Sequence, residues 1–275
     1  MRPVADPGDP AGFVPYEAEG GSYFSSVTKK LLWANGICFL ATFLLTRFAP
    51  EVGAPLYDWL ALAPDTWYEG FPALWQLVTY GFLHALGSPT HLLFNLLALY
   101  FFGTMLEGMV GPRRFAVQYF AALAFGGVVH LLAALAMAGH PPVVGASGAV
   151  LYTVIACAVL QPNARVLFFF VPLQLKIMAL ILVGLDLFSL LGKDQRTASD
   201  VHLAGAALGF LAAKLGWVWF DPGAWWERRA EHRAREAQVS DEARLDQLLD
   251  RIHREGIHAL SQREKDFLAR MSKRR

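Results

Sequence analysis

Apolar positions in this chain come in long unbroken runs, not in the alternating or 3.6-residue stripes of a soluble core. A helix needs roughly 20 mostly apolar residues to cross the hydrocarbon of a bilayer, and six segments meet or approach that length. They run from about Leu31 to Phe48, Thr90 to Leu106, Phe115 to Gly139, Ala146 to Leu160, Val171 to Leu191 and Val201 to Phe220. The third has no formally charged residue, and the fourth is short. The fifth has Lys176 in its first turns and Asp186 near its far end, while the sixth has Lys214 toward its end, where a long side chain reaches the interface. Several of these runs are apolar on every face, which suits lipid-surrounded helices. The pattern predicts an all-α bundle of six transmembrane helices over residues 29–220.

The flanks read differently. Residues 1–28 mix Asp6, Asp9, Glu17 and Glu19 with Pro and Gly, lack the basic start and apolar core of a cleaved signal peptide, and are expected to be a disordered tail. Residues 221–275 are crowded with charge and are expected to form a soluble tail. Within it, Ser240-Asp241-Glu242 predicts a helix start, Leu245, Leu248, Leu249 and Ile252 share a stripe, and Gly256 ends the helix. Ser261-Gln262-Arg263-Glu264 is a capping-box pattern opening a second helix with Phe267, Leu268 and Met271, so a helical hairpin is expected over 240–272.

Composition agrees with the membrane reading: only 17% of the 275 residues are charged, against about a quarter in soluble chains. A net charge of +1 offers no footing for nucleic acid. Cys38 and Cys157 lie inside apolar runs, which excludes a disulfide framework, and neither has metal-ligand spacing. Lys29, Lys30, Arg113, Arg114, Arg165, Lys176 and the basic tail fall on one side of the membrane if there are six crossings; Arg47, Lys193 and Arg196 are the exceptions. That bias predicts cytoplasmic termini. The first outer loop, about Pro50 to Pro89, has Trp59, Trp67, Phe71, Trp75 and Phe82, rings suited to an interface.

Polar residues inside such helices cost free energy and need a reason. The second helix opens with His91 and Asn95, the fourth with Gly145-Ala146-Ser147-Gly148, and the sixth with His202, Gly205 and Gly209. Helices two, four and six run in the same direction, and these residues lie in the first turn or two of each. At 1.5 Å per residue they therefore sit within roughly 10 Å of one outer surface. Gly205 and Gly209 make a small-xxx-small face for close packing; if that face meets the fourth helix, His202 comes beside Ser147. A serine hydroxyl becomes nucleophilic once a neighbouring base takes its proton. Asn95, His91 and the Ser147 backbone N–H are candidate donors to the oxyanion that results.

These motifs resemble the rhomboid family of intramembrane serine proteases over roughly Lys30 to Trp219. The matching elements are Gly145 to Gly148, His91 with Asn95, His202 with Gly205 and Gly209, and Gly103 with Glu107. Trp75 to His84 also looks like the family's first-loop region. The resemblance implies a six-helix core and a Ser147–His202 dyad without an aspartate. It also implies transmembrane protein substrates cleaved at a site open to the outer face. No metal, cofactor or nucleic acid is expected, and the bacterial cytoplasmic (inner) membrane is the expected location. There are two departures: the family's Trp-Arg pair is Trp75-Gln76, and its aromatic four residues after the serine is Leu151, with Tyr152 following. His202 is thus expected to be held differently. Asp186, near the outer end of the fifth helix, is read as a structural hydrogen-bonding or interfacial group, with a triad role as the alternative; His130 is read as a packing or hydrogen-bonding residue, His140 as loop, Glu107 as structural, and His84 as a candidate cavity lining. The rival function is a proteolytically inactive relative serving as a membrane-protein chaperone or adaptor; a transporter would show an inverted repeat, which this chain does not.

Overall fold

The computed structural model describes residues 26–136, 140–168, 171–192 and 198–273. Nearly all of the expected N-terminal tail, together with Gly139, Lys193 and Arg196, lies outside the described residues. The chain divides into two compact units, with the boundary between Phe220 and Asp221.

The first unit opens with α1 (Val27–Phe48), α2 (Pro50–Leu60), α3 (Pro64–Glu69) and α4 (Gln76–Thr79), the last running into a 3-10 turn at Tyr80–Phe82. Then come α5 (Pro89–Ala98), a π turn at Leu99–Gly103, α6 (Thr104–Val110), α7 (Pro112–Ala136) and α8 (Ser147–Leu160). An antiparallel pair, β1 (Arg165–Phe168) and β2 (Val171–Gln174), leads to α9 (Leu175–Leu191) and α10 (Ser199–Lys214). Among the described residues, three helices are long and apolar enough to cross a membrane: α1, α5–α6 taken as Pro89–Val110, and α7.

Several expected boundaries move, each for a local reason. The fifth helix begins at Leu175 and not Val171, because Pro172 biases the residue before it toward extended backbone and cannot donate to a ladder. The sixth ends at Lys214, where Gly216 takes φ +74, a conformation glycine enters without steric cost. The second continues past Leu106 to Val110 before Gly111 and Pro112 stop it. The first outer loop contains α2 and α3, two short helices that both start on a proline.

α8 is the centre of this unit: every residue from Gly148 to Ala158 is buried. It meets α10 backbone to backbone. A Cβ at Gly205 would lie 2.0 Å from the Gly148 carbonyl oxygen, and one at Gly209 would lie 2.5 Å from the Tyr152 carbonyl oxygen. Val201 closes over the same contact, its Cγ1 2.6 Å from where a Gly148 Cβ would be and 2.9 Å from a Cβ at Gly126 of α7. At the other end of the unit, Glu107 caps α1: its carboxylate accepts from the Val27 and Thr28 amides at 2.8 and 2.9 Å and from the Ser26 and Thr28 hydroxyls at 2.8 and 2.6 Å. A helix N-terminus carries orphan donors and partial positive charge, so an anion fits there. Gly103, one turn before Glu107, has the Thr28 side chain 3.0 Å from where its Cβ would be.

The second unit contains α11 (Pro222–Glu255) and α12 (Gln262–Lys273). The predicted start at Ser240 is wrong: α11 is one helix of 34 residues beginning at Asp221, whose carboxylate accepts from the Gly223 and Ala224 amides. A stronger cap lay upstream, and Ser240 is simply tolerated inside the helix. Gly256, at φ +83, ends it. Ser261 and Glu264 form the reciprocal box, with the Ser261 amide and hydroxyl each donating to the Glu264 carboxylate at 2.8 Å. Leu248, Leu260 and Phe267 are buried together, flanked by Leu245, Ile252, Leu268 and Met271.

Gly205→Val should lower the thermal midpoint and folded yield in detergent, since overpacking a closed contact typically costs 1–3 kcal/mol or more. Gly36→Ala, where a Cβ meets nothing within 4 Å, should leave both unchanged.

Candidate active site

The segment before Ser147 is pinned at successive points. Leu62 and Val143 exchange backbone hydrogen bonds at 3.1 and 2.9 Å, and the Gly145 amide donates to the Tyr80 carbonyl at 2.9 Å. Gly145 has φ +128, and a Cβ there would lie 3.0 Å from Cε1 and 3.1 Å from Nε2 of His91. Glycine is required twice over, by conformation and by space. This places Ser147 as the first residue of α8, with His91 against the turn that delivers it.

His202 lies in the first turn of α10. Its Nε2 is 2.7 Å from the Ser147 hydroxyl oxygen, and its Nδ1 is 2.7 Å from Asp186 Oδ1 on α9. A carboxylate only accepts, so Nδ1 carries the proton and a neutral imidazole turns the Nε2 lone pair toward the Ser147 hydroxyl. That is the tautomer a general base needs. The Asp186 carboxylate therefore sits on the far side of the ring from Ser147, a neighbour that the family resemblance does not imply. It also answers how His202 is held when no aromatic lies four residues after the serine. Leu151 is buried there, and the next residue, Tyr152, turns its hydroxyl to Gln118 Oε1 at 3.1 Å.

Asn95 is buried on α5, and its Nδ2 donates to the His91 carbonyl one turn earlier at 2.9 Å. One of its two N–H groups is thus used to brace the helix, which leaves the second for another acceptor. His84 packs near His91, with ring centroids 5.2 Å apart, and is itself buried. Burial, and the nearby His91, push the His84 imidazole down to about 4 against a weaker opposite pull from the Phe82 backbone.

Asp200, two residues before His202, is a site residue that the motifs do not mark. Its Oδ2 lies 2.7 Å from His130 Nδ1 and 3.2 Å from His140 Nε2, and His130 Nε2 is 3.0 Å from the Pro141 carbonyl oxygen. One donor atom from each of these side chains falls within 4.8 Å of the others, as in a metal site. Both ring nitrogens of His130 already face acceptors, so the trio closes as a hydrogen-bonded clasp joining α7, the segment before Ser147 and the start of α10. A carboxylate beside an apolar run was the available signal, because such a group needs a partner.

The Trp75-Gln76 pair does anchor the first loop, though with an amide instead of a guanidinium. Gln76 is fully buried; its Oε1 accepts from Trp67 Nε1 at 3.0 Å and the Ala63 amide at 3.3 Å, and its Nε2 donates to the Trp59 carbonyl at 3.1 Å. Trp75 Nε1 donates to that same carbonyl at 3.0 Å, and the Thr79 hydroxyl donates to the Leu60 carbonyl at 2.7 Å.

A helical, apolar first unit in which a serine, an imidazole and a carboxylate stand in hydrogen-bonded series defines a class: a helical membrane protein with a polar cluster built among its apolar helices. The family model described as Rhomboid domain matches residues 72–219, more than half of the chain. The chain belongs to the rhomboid family. It is 30% identical over 154 residues to RHOMBOID-like protein 12, mitochondrial, of Arabidopsis thaliana, a match covering 50% of this chain and 45% of that protein. It is 26% identical over 199 residues to Rhomboid protease GlpG of Serratia proteamaculans (strain 568), covering 71% of this chain and 66% of that one. The chain thus spans about half to two thirds of these relatives. Residues 229–274 match a family of unknown function (DUF6576).

Asp200→Ala would strand His130 and His140 without their acceptor and should cost about 1–3 kcal/mol of stability, read as a lower thermal midpoint in detergent. The folded protein takes up its His84 proton only near pH 4, whereas an unfolded chain does so near 6.5. Stability should therefore be full above about pH 6.5 and decline toward pH 4, by at most about 3 kcal/mol from this group. His84→Leu should flatten that part of the curve in chemical unfolding across the pH range.

Proposed function

We propose that the chain is an intramembrane serine endopeptidase that hydrolyses peptide bonds in or near the transmembrane segments of other membrane proteins. The observation that carries this reading is the 2.7 Å contact between Ser147 Oγ and His202 Nε2. In the proposed cycle Ser147 attacks the scissile carbonyl while His202 takes its proton. The Ser147 amide, the free N–H of Asn95 and the His91 side chain stabilise the oxyanion. His202 then protonates the leaving amine, and a water activated by the same imidazole hydrolyses the acyl-enzyme.

The six-crossing arrangement is part of the proposal. α8 has 14 residues and at 1.5 Å per residue is about 21 Å long, shorter than the ~30 Å hydrocarbon layer. With its inner end at the cytoplasmic interface, Ser147 lies below the outer surface, in a cavity that must admit water from outside. Both termini are then cytoplasmic, in a cytoplasmic (inner) membrane. Substrates are membrane segments with small or helix-destabilising residues near the outer face, because a peptide must unwind to enter a serine-protease site. No metal or cofactor has a role in these steps.

Against a model transmembrane substrate in proteoliposomes, Ser147→Ala and His202→Ala should each fall by at least about 10³-fold with folding intact, and Asn95→Ala by about 10²-fold. Cleavage by Ser147→Ala at the wild-type rate would falsify the assignment. If wild type and both variants are inert yet retain the substrate in pull-down, the chaperone or adaptor reading replaces it.

A further inference from the structure

We propose that Asp186 is a positioning residue for catalysis, so that this rhomboid works with a Ser147–His202–Asp186 triad. The inference rests on the Ser147–His202 assignment made above and adds to it.

Three observations converge on Asp186. Its carboxylate is 2.7 Å from the one nitrogen of His202 that does not face Ser147, and only 15% of its side chain is exposed. Its neighbours in sequence, Leu185 and Leu187, are 60% and 48% exposed, as expected of a helix flanked by lipid. Leu182 and Val183, four and three residues earlier and on the same helix face, are partly buried against the core. Asp186 thus extends the inward face of α9 by one turn and reaches the imidazole. A carboxylate in such surroundings is costly unless a partner meets it, and here the partner is the base itself.

The contact does two chemical jobs. It keeps the proton on Nδ1 in the resting enzyme, leaving Nε2 able to accept from Ser147. When Nε2 takes that proton, both nitrogens carry hydrogen and the ring becomes cationic; the Asp186 charge 2.7 Å from Nδ1 stabilises it without itself being protonated. The aromatic face that Leu151 does not provide is replaced by a directional hydrogen bond.

A mere staple between α9 and α10 would lose stability and activity together, so the test separates them. Asp186→Asn keeps the size, but its amide can present N–H to Nδ1 and favour the tautomer with Nε2 protonated. In proteoliposomes with a model transmembrane substrate, kcat should fall on the order of 10²- to 10⁴-fold. KM should stay within about twofold, and the thermal midpoint should stay close to wild type. Labelling of Ser147 by a fluorophosphonate should slow in parallel, and Asp186→Glu should recover a measurable part of both rates. Wild-type kcat in Asp186→Asn overturns the proposal, as does a kcat loss no larger than the loss of folded protein. If Asp186→Asn does not fold, the comparison passes to Asp186→Glu and Asp186→Ala, where equal per-molecule labelling rates in the folded fraction also overturn it. Wild type that labels and cleaves no faster than Ser147→Ala removes the underlying protease reading, and this one with it.

Discussion

The site depends on the place where α8 and α10 touch backbone to backbone. Gly148 and Tyr152 present backbone to Gly205 and Gly209, closely enough that one added carbon at Gly205 would fall 2.0 Å from a carbonyl oxygen. Between apolar helices in lipid there is little hydrophobic gain from association, so close van der Waals contact carries much of it. That contact sets the separation of the two helix starts. A hydroxyl at the head of one and an imidazole in the first turn of the other meet within a hydrogen bond.

Around this contact, the polar groups of the first unit serve as fasteners. Glu107 closes the N-terminus of α1, Gln76 gathers three groups of the first loop, and Asp200 with His130 and His140 secures the approach to Ser147. An unpaired polar group is expensive where water is scarce, which makes each pairing a strong positional constraint. Asp186 belongs to this set by its physics, and its partner is the imidazole that faces Ser147. The same rule that makes a carboxylate in an apolar helix costly makes it effective as a fixed partner for a cation.

The second unit is organised by side-chain caps and a small apolar cluster. Its helices begin at side-chain caps, Asp221 for α11 and Ser261 for α12, and a small apolar cluster of Leu248, Leu260 and Phe267 joins them. Glu264 is held down at about 2 by hydrogen bonds from the Ser261 hydroxyl and amide and from Arg251. That is the electrostatic signature of a capping carboxylate that stays ionised.

Much of this was readable in the one-dimensional pattern. Apolar runs marked where helices form, and three of those helices among the described residues have the length a bilayer demands. Ser147, His202, His91, Asn95 and the paired glycines stood out because each is costly or unusual within such a run. Helix ends were less legible: Pro172, Gly216 and Asp221 act through backbone geometry and capping, which hydropathy does not register. Only the tertiary structure joined Asp186 to His202 and Asp200 to His130, residues 16 and 70 positions apart. A hydrogen bond between distant segments depends on how helices rotate and slide against one another. Packing decides that, and no single segment contains it.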